Sequence, residues 1–183
     1  MAVDDLLGGS LAGEHLLSLG HRRIAYLGSV VDTTPVARRR AGVRQTLADV
    51  GLDPDEALLD VRIPVNPSLA DSADAVRRIL TAVPRPTAVV CLNDTAALAV
   101  LRELEVAGVR VPANMSVVGY DDLPFTALLS PPLTTVAQPT YRLGYAAADL
   151  LLDEARTDHT HREILFQPSL VVRSSTAAPP TDR

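Results

Sequence analysis

Cysteine is nearly absent from this sequence. The single residue, Cys91, cannot form an internal disulfide and lies in an apolar run, which favours a reducing compartment. There is also no run of about 18 apolar residues, so the sequence predicts no membrane span. Because the chain begins without a charged and then apolar leader, it predicts no signal peptide either. From these absences we expect a soluble cytoplasmic protein that does not contact a membrane.

Basic residues are too few to dominate the surface. The chain has 17 Lys and Arg against 22 Asp and Glu, a formal net charge of -5. Nucleic acid binding depends on clustered positive charge at the phosphates. We therefore expect that this chain does not hold DNA by its own surface, and that any DNA contact comes from elsewhere.

The usual sequence signs of catalysis are missing. There is no serine in a nucleophile elbow and no glycine-rich phosphate loop. The four histidines show no metal spacing with cysteine or carboxylates: His15, His21, His159 and His161. An enzyme that uses Asp94 or Asp121 as an acid or base would need a partner nucleophile, a metal set or a second acid. We therefore predict a protein that is not an enzyme, with no catalytic residue, no metal and no cofactor.

What the sequence does contain is a regular alternation of strands and helices. Its 183 residues, 47% of them hydrophobic, suffice for one good core. Predicted strands, in order, are "RRIAYLGS", "LLDVRI", "RPTAVVCLND", "NMSVVGY" and "LTTVAQ", with one or two more in "REILFQPSLVVRSST". Helical periods of 10 to 15 residues separate most of them. The pattern predicts an α/β fold, a parallel sheet with helices on both faces.

Polar residues follow the predicted strands at one edge of this sheet. Ligands of such folds bind at the carboxyl ends of the strands. The residues at these positions are Arg38, Arg39, Arg40, Asn93, Asp94, Asp121, Asp122 and Gln138. Donors, acceptors and a guanidinium together suit a small polar ligand.

Local structure offers a second explanation for several of these residues. Asn93 or Asp94 precedes a helix and is suited to capping it. Asp121 and Asp122 are suited to a turn, and we expect Asp121 to face the ligand and Asp122 to serve the turn. The arginines open a helix, where the helix dipole disfavours positive charge, so a solvated face explains them less well.

Five segments in order resemble one family, the LacI/GalR-type bacterial transcriptional regulators. They are "LAGEHLLSLGHRRIAYLGS", "ARRRAGVRQTLADVGL", "RPTAVVCLNDTAALAVLRELEVAGVRVPANMSVVGYDDLP", "SPPLTTVAQPTYRLGYAAADLLL" and "LVVRSST". The resemblance covers about Val3 to Thr176. It implies the periplasmic-binding-protein-like class I fold, in which two similar α/β subdomains enclose an effector. It also implies a homodimer that binds operator DNA through a separate helix-turn-helix headpiece.

The resemblance also implies effector-binding residues. They are Arg39 (three residues before Gly42), Asn93, Asp94, Asp121 and Gln138. In sugar-responsive members of the family these positions bond effector hydroxyls, and Asn93 matches such a contact better than Asp94. The implied function is the effector-sensing and dimerisation region of a repressor that responds to a sugar or similar polar ligand. A transport-associated sugar-binding protein, which shares the fold, is the alternative.

Matched to the family, the chain resembles one complete subdomain and part of a second. We expect residues 1–20 to be a helical remnant of the N-terminal subdomain and 21–136 the C-terminal effector-binding subdomain. Residues 137–160 would hold the crossover and a returning helix, and 161–183 terminal strands and a disordered tail. The apolar faces of the two flanking helices would then lack a sheet to cover them: Leu11, Leu16 and Leu19 in one, Leu143, Leu150 and Leu151 in the other.

One departure from the family concerns the aromatic residue on which the ligand stacks. Many members stack the sugar on an aromatic residue in the loop that is here "PVNPSLAD", and aromatics make up only 3% of this chain. Either the missing part supplies that platform or the effector is not a simple sugar.

Overall fold

A computed structural model describes residues 1–154 and 163–180. The strands are β1 (Ala2–Val3), β2 (Ile24–Ser29), β3 (Leu58–Ile63), β4 (Ala88–Cys91), β5 (Ser116–Asp121), β6 (Thr134–Ala137), β7 (Leu165–Phe166) and β8 (Ser169–Val171). The α-helices are α1 (Asp5–Ser18), α2 (Thr34–Asp49), α3 (Pro54–Ala57), α4 (Leu69–Thr81), α5 (Asp94–Val106) and α6 (Thr140–Glu154). A short 3₁₀ helix spans Pro124–Leu128.

Six strands form the main sheet, in the order β3-β2-β4-β5-β6-β8. The first five are parallel, and β8 is antiparallel to β6. The remaining two strands, β1 and β7, pair with each other in a small parallel sheet. The predicted α/β class is confirmed, and the parallel strands end at one common edge.

The sheet is buried on both faces, as its continuously apolar strands require. All four residues of β4 are buried, and they alternate between two cores. On one face, Val89 and Cys91 pack with α4 and α5 residues such as Ile79 and Val100. On the other face, the two other residues of β4 pack with residues of α1 and α2 in a second core cluster.

Helix boundaries follow local capping chemistry. Ser68 and Asp71 form a reciprocal capping box at the start of α4, where the Asp71 amide donates to the Ser68 hydroxyl at 3.2 Å. Pro35 lies in the first turn of α2, where its missing amide proton costs nothing. After α2 the chain turns at Gly51, whose φ of 79° favours glycine.

The segment after β8 returns across the sheet and is bonded to it. Ser175 accepts from the Val117 amide with its carbonyl at 2.9 Å, and its hydroxyl accepts from the Thr134 amide at 2.8 Å. His21, 1% exposed, contacts the Ala177 carbonyl with Nε2 at 2.9 Å. The segment that follows β8 is therefore fixed to β5, to β6 and to the connection between α1 and β2.

The two flanking helices behave differently from each other. Leu16 of α1 is fully buried among α2 and sheet residues, so the expectation that it lies on an uncovered face is wrong. Glycines in both helices allow α1 to lie close against α2, so that the face of α1 with small residues is buried against α2. Leu151 of α6 is 71% exposed, and Tyr141 is 86% exposed, as expected for a helix without a covering sheet.

The division of the chain into subdomains stays a prediction. The end of the predicted segment 137–160, from residue 155 onward, lies outside the described residues, as do two of the histidines, His159 and His161. Within residues 1–154 and 163–180, no helix is long and apolar enough to cross a membrane.

Candidate functional site

Arg39 is the centre of a bonded group at the carboxyl edge of the sheet. Its Nε donates to Asp5 Oδ1 at 2.8 Å, and its Nη1 donates to the Leu92 carbonyl at 2.7 Å. The guanidinium lies over the ring of Tyr120, 3.5 Å from the centroid, and the Tyr120 hydroxyl donates to Asp5 Oδ1 at 3.3 Å. Arg39 therefore joins α2 to the start of α1 and to the ends of β4 and β5.

Asp121 and Gln138 form the second part of this group. Asp121 ends β5 opposite Ala137 of β6, so Gln138 follows immediately beside it. Gln138 Nε2 donates to Asp121 Oδ1 at 2.6 Å. Burial raises the pKa of Asp121 above its usual value, while the bond from Gln138 and the charge of Arg39 act in the opposite direction.

The backbone at Asp121 is strained. Its φ is 112°, a conformation that residues with a side chain rarely adopt. Such a residue costs about 1–3 kcal/mol and is found most often at functional sites. The strain turns the chain sharply where β5 ends and sets Asp121 and Asp122 in different directions.

The side-chain amide oxygen of Asn93 takes part in local structure. Its Oδ1 accepts from the Ala96 amide at 2.8 Å and caps α5, as the capping explanation predicted. Within the described part of the chain no hydrogen bond engages its Nδ2. The side chain borders a cavity of about 550 Å³ and is able to donate into it.

The cavity lies where β2, β3 and β4 end, between the loops that lead into α2, α4 and α5. No charged side chain lines it within the described residues. Its wall consists of Ser29, Val31, Thr33, Val36, Ile63, Pro64, Val65, Asn66, Pro67, Ser68, Leu69, Ser72, Leu92, Asn93, Thr95, Ala96 and Ala99. Leu92 joins the cavity to the Arg39 group, because its carbonyl holds the guanidinium.

Both carboxylate oxygens of Asp94 bind groups outside the predicted site. Asp94 is fully buried, and both carboxylate oxygens are occupied: Oδ1 accepts from Thr135 Oγ1 at 2.6 Å and Oδ2 from the Leu123 amide at 2.8 Å. Burial raises its pKa. A carboxylate in this position ties α5 to β6 and to the loop after β5, so we leave Asp94 out of the proposed site.

Asp122 also has a structural partner. Its Oδ1 accepts from Arg173 Nη2 at 2.7 Å, and Arg173 Nη1 donates to the Leu133 carbonyl at 2.8 Å. The Thr126 hydroxyl donates to the same carboxylate oxygen at 3.4 Å. Of the two adjacent aspartates, Asp122 therefore fixes the turn, whereas Asp121 lies with Gln138.

Asp5, Tyr120 and Arg173 belong to these networks and were not predicted from the sequence. The three consecutive arginines were a signal for the first, because positive charge at a helix start calls for carboxylates. Arg38 lies 3.8 Å from Asp4, and Arg39 pairs with Asp5. Nothing in the spacing indicated that the partners come from the preceding helix.

The family model for the periplasmic binding protein-like domain matches residues 14–176. The chain belongs to this family. That membership agrees with the sheet order and with polar groups gathered at the strand ends.

Curated relatives and solved structures place this periplasmic binding protein-like domain among LacI-type regulators. The transcriptional regulator MalR of Streptomyces coelicolor is 39% identical over all of this chain and 53% of its own length. The transcriptional repressor PurR of Vibrio atlanticus is 36% identical over 92% of this chain and 50% of its own. The chain spans about half the length of these relatives.

A solved structure gives the same placement. The LacI family transcriptional regulator of Enterococcus faecium with bound ribose matches 96% of this chain and 64% of its own, with a TM-score of 0.89 and 33% identity. The resemblance identified in the sequence is thereby confirmed: the chain is an effector-binding region of the LacI type.

Proposed function

We propose that this chain senses a small polar effector for a LacI-type transcriptional repressor and contributes to its dimerisation. The observation that carries the proposal is the group formed by Arg39, Asp121 and Gln138 at the strand ends, in which Arg39 is joined to the cavity wall through Leu92. Guanidinium, carboxylate and amide within one edge offer both donors and acceptors to hydroxyl groups. The ribose bound to the Enterococcus faecium neighbour supports a sugar as the class of effector.

Asn93 completes the proposed site from the cavity side. Its Nδ2 donor lies at the cavity wall, and Arg39 is joined to that wall through Leu92. The proposed effector contacts are therefore Arg39, Asn93, Asp121 and Gln138. The remaining wall would come from a second subdomain that packs on α6, whose exposed Tyr141, Tyr145, Leu151 and Leu152 form an uncovered apolar surface.

In this proposal the effector acts by favouring one arrangement of the two subdomains. A ligand that binds one arrangement better shifts the equilibrium by its difference in affinity, which is about 1–3 kcal/mol in typical allosteric proteins. The shift would alter the spacing of two headpieces on a palindromic operator. Dimerisation is supported by a groove of about 530 Å³ that is lined by Leu98, Leu101 and Leu129 together with Arg102, Glu105 and Arg110.

The relatives favour this regulator over a transport-associated binding protein. Both curated relatives described above are transcriptional regulators, and the Enterococcus faecium neighbour is one as well. The acidic chain would act on operator DNA only through a headpiece outside these residues.

The test compares the two adjacent aspartates. We expect Asp121→Asn to weaken binding of D-ribose, or of whichever pentose, hexose or disaccharide binds the wild type, by about ten- to a hundredfold. This corresponds to losing a hydrogen bond to a charged group, worth about 1.5–3 kcal/mol. Isothermal titration calorimetry measures the affinity.

Asp122→Asn is the matched control, because it removes the same charge one residue away. It breaks the pair with Arg173, so we expect a lower melting temperature and an unchanged sugar affinity. Equal affinity of the two variants and the wild type would remove Asp121 from the site.

A further inference from the structure

The loop between β2 and α2 forms one side of the cavity. Val31 and Thr33 both line it, although Val31 is 51% exposed. Few backbone bonds fix this loop to its surroundings. The Val30 amide donates to the Ile63 carbonyl at 2.9 Å, and the Thr33 amide donates back to the Val31 carbonyl at 2.9 Å. The position of the loop must therefore depend on side chains as well.

Arg40 supplies such a connection. Its Nη2 donates to Asp32 Oδ2 in the loop at 2.7 Å, and its Nη1 donates to Asp60 Oδ2 on β3 at 3.1 Å. One guanidinium thus joins the second turn of α2, the loop and the edge strand. Its side chain is only 19% exposed, less than that of either carboxylate partner.

Arg62 of β3 completes a group of four charges. Its Nε and Nη2 donate to Asp60 Oδ2 at 3.2 and 3.1 Å, and its Nη2 lies 3.7 Å from Asp32 Oδ2. We call Asp32, Arg40, Asp60 and Arg62 the four-charge cluster. Two positive and two negative groups balance within it, and its partial exposure makes it sensitive to salt.

Two consecutive residues of α2, Arg39 and Arg40, bind partners on different sides of the helix. Arg39 is directed to Asp5 and the Leu92 carbonyl within the candidate site, while Arg40 is directed outward to the four-charge cluster. The first turn of α2 holds no acidic residue of its own. The arginines that follow in the second turn are balanced by carboxylates from other elements, so this part of α2, the loop and β3 are held together.

We propose that Arg40 is a positioning residue of the effector site, which holds the Val30–Thr33 loop against β3 and so fixes one wall of the cavity. The inference rests on the proposed function for its link to effector binding. The loop restraint itself rests on the cluster geometry alone.

The first experiment measures amide hydrogen exchange of the peptide covering residues 29–36 by mass spectrometry, without ligand. Arg40→Met and Asp32→Asn should each speed exchange in this peptide about three- to tenfold, as expected for losing one or two partly exposed ion pairs. Salt at about 0.5 M should speed exchange in the wild type and have less effect in the variants.

Arg44→Met is the matched control. Arg44 also lies on α2 and also pairs with an aspartate, Asp55, at 2.7 Å, but neither residue touches the loop. It should leave exchange of residues 29–36 unchanged. Equal exchange in Arg40→Met and Arg44→Met would overturn the proposal. Arg40→Lys should recover part of the protection, because lysine keeps the charge but lacks the fork that reaches two carboxylates.

The second experiment links the loop to binding. Titration with D-ribose, or with another sugar shown to bind the wild type, should give about three- to tenfold weaker affinity for Arg40→Met, the factor by which the loop is released. Faster exchange with unchanged sugar affinity would overturn the role of Arg40 in the site. Absence of sugar binding to the wild type would overturn a sugar as the class of effector in the proposed function, while the exchange result still decides whether Arg40 holds the loop.

Discussion

The close approach of α1 and α2 at Gly42 gives the most demanding test of the fold. A Cβ placed on Gly42 would lie 2.1 Å from the Leu6 carbonyl oxygen and 2.6 Å from the Ser10 amide nitrogen. From the other side, a Cβ on Gly9 would lie 1.9 Å from the Arg39 carbonyl oxygen. These neighbours are backbone atoms, which cannot rotate away. Gly42→Ala must therefore move α1 away from α2.

The cost follows from two opposing effects. Alanine is favoured over glycine inside a helix by about 1 kcal/mol. Against this, forcing an extra methyl group into a packed interface costs about 1–3 kcal/mol, and more when backbone must shift. Moving α1 also loosens its packing through Ala12 and Leu16, both fully buried. We expect a net loss of about 2 kcal/mol, which lowers the melting temperature by about 4–8 °C for a chain of this size.

Thermal unfolding followed by circular dichroism measures this loss, with Gly144→Ala as the matched control. A Cβ at Gly144 in α6 meets nothing within 4 Å, so the same substitution there should be neutral or stabilising. Gly42 lies one helical turn from Arg39, so Gly42→Ala should also weaken the pair with Asp5 and, with it, sugar binding. A melting temperature equal to that of the wild type would refute the argument that glycine sets the spacing of these helices.

Two further predictions concern buried polar groups. Burial lowers the pKa of His21 below 6.5, so on acidification the unfolded chain takes up a proton before the folded chain does, and stability should fall as the pH drops from 6.5 toward the lower folded pKa. The free energy of unfolding, measured by denaturation from pH 7.5 to about 5.5, should depend less on pH in His21→Gln, and an equal pH dependence would contradict this role. Thr135→Val leaves a buried Asp94 oxygen without its donor and should lower the free energy of unfolding in urea by about 1–3 kcal/mol. The control Thr81→Val, on the exposed end of α4, should change it by less than about 0.5 kcal/mol, and equal losses in the two variants would contradict the role of Thr135.

The sequence predicted the fold well because its signals were local. The strand "LLDVRI" is β3 residue for residue, and Leu58, Val61 and Ile63 are its buried residues. The predicted edge also brought Arg39, Asp121 and Gln138 into one group. By contrast, the packing of α1 on α2 was missed, because glycine spacing indicates close approach only once the partner helix is known.

The individual roles of the polar residues were harder to predict. Asn93 and Asp94 are adjacent, yet one borders the cavity and the other is fully buried, because the first residues of α5 point in different directions. The partners that decide the role of Asp94, Thr135 and the Leu123 amide, are distant in sequence. Such pairings depend on tertiary structure, which the periodic pattern of hydrophobic residues in the sequence does not predict.

The antiparallel pairing of β6 with β8 has a mechanical consequence. Ala137 and Ser169 are opposite partners, so the chain leaves the main sheet and re-enters it at a single register position. Along the backbone, a displacement of α6 is passed to the sheet at Ala137. Gln138 is the first residue beyond it, and only Pro139, with its fixed φ, separates Gln138 from the helix. The bond between Gln138 and Asp121 therefore lies on the covalent path along which a displacement of α6 would reach the sheet.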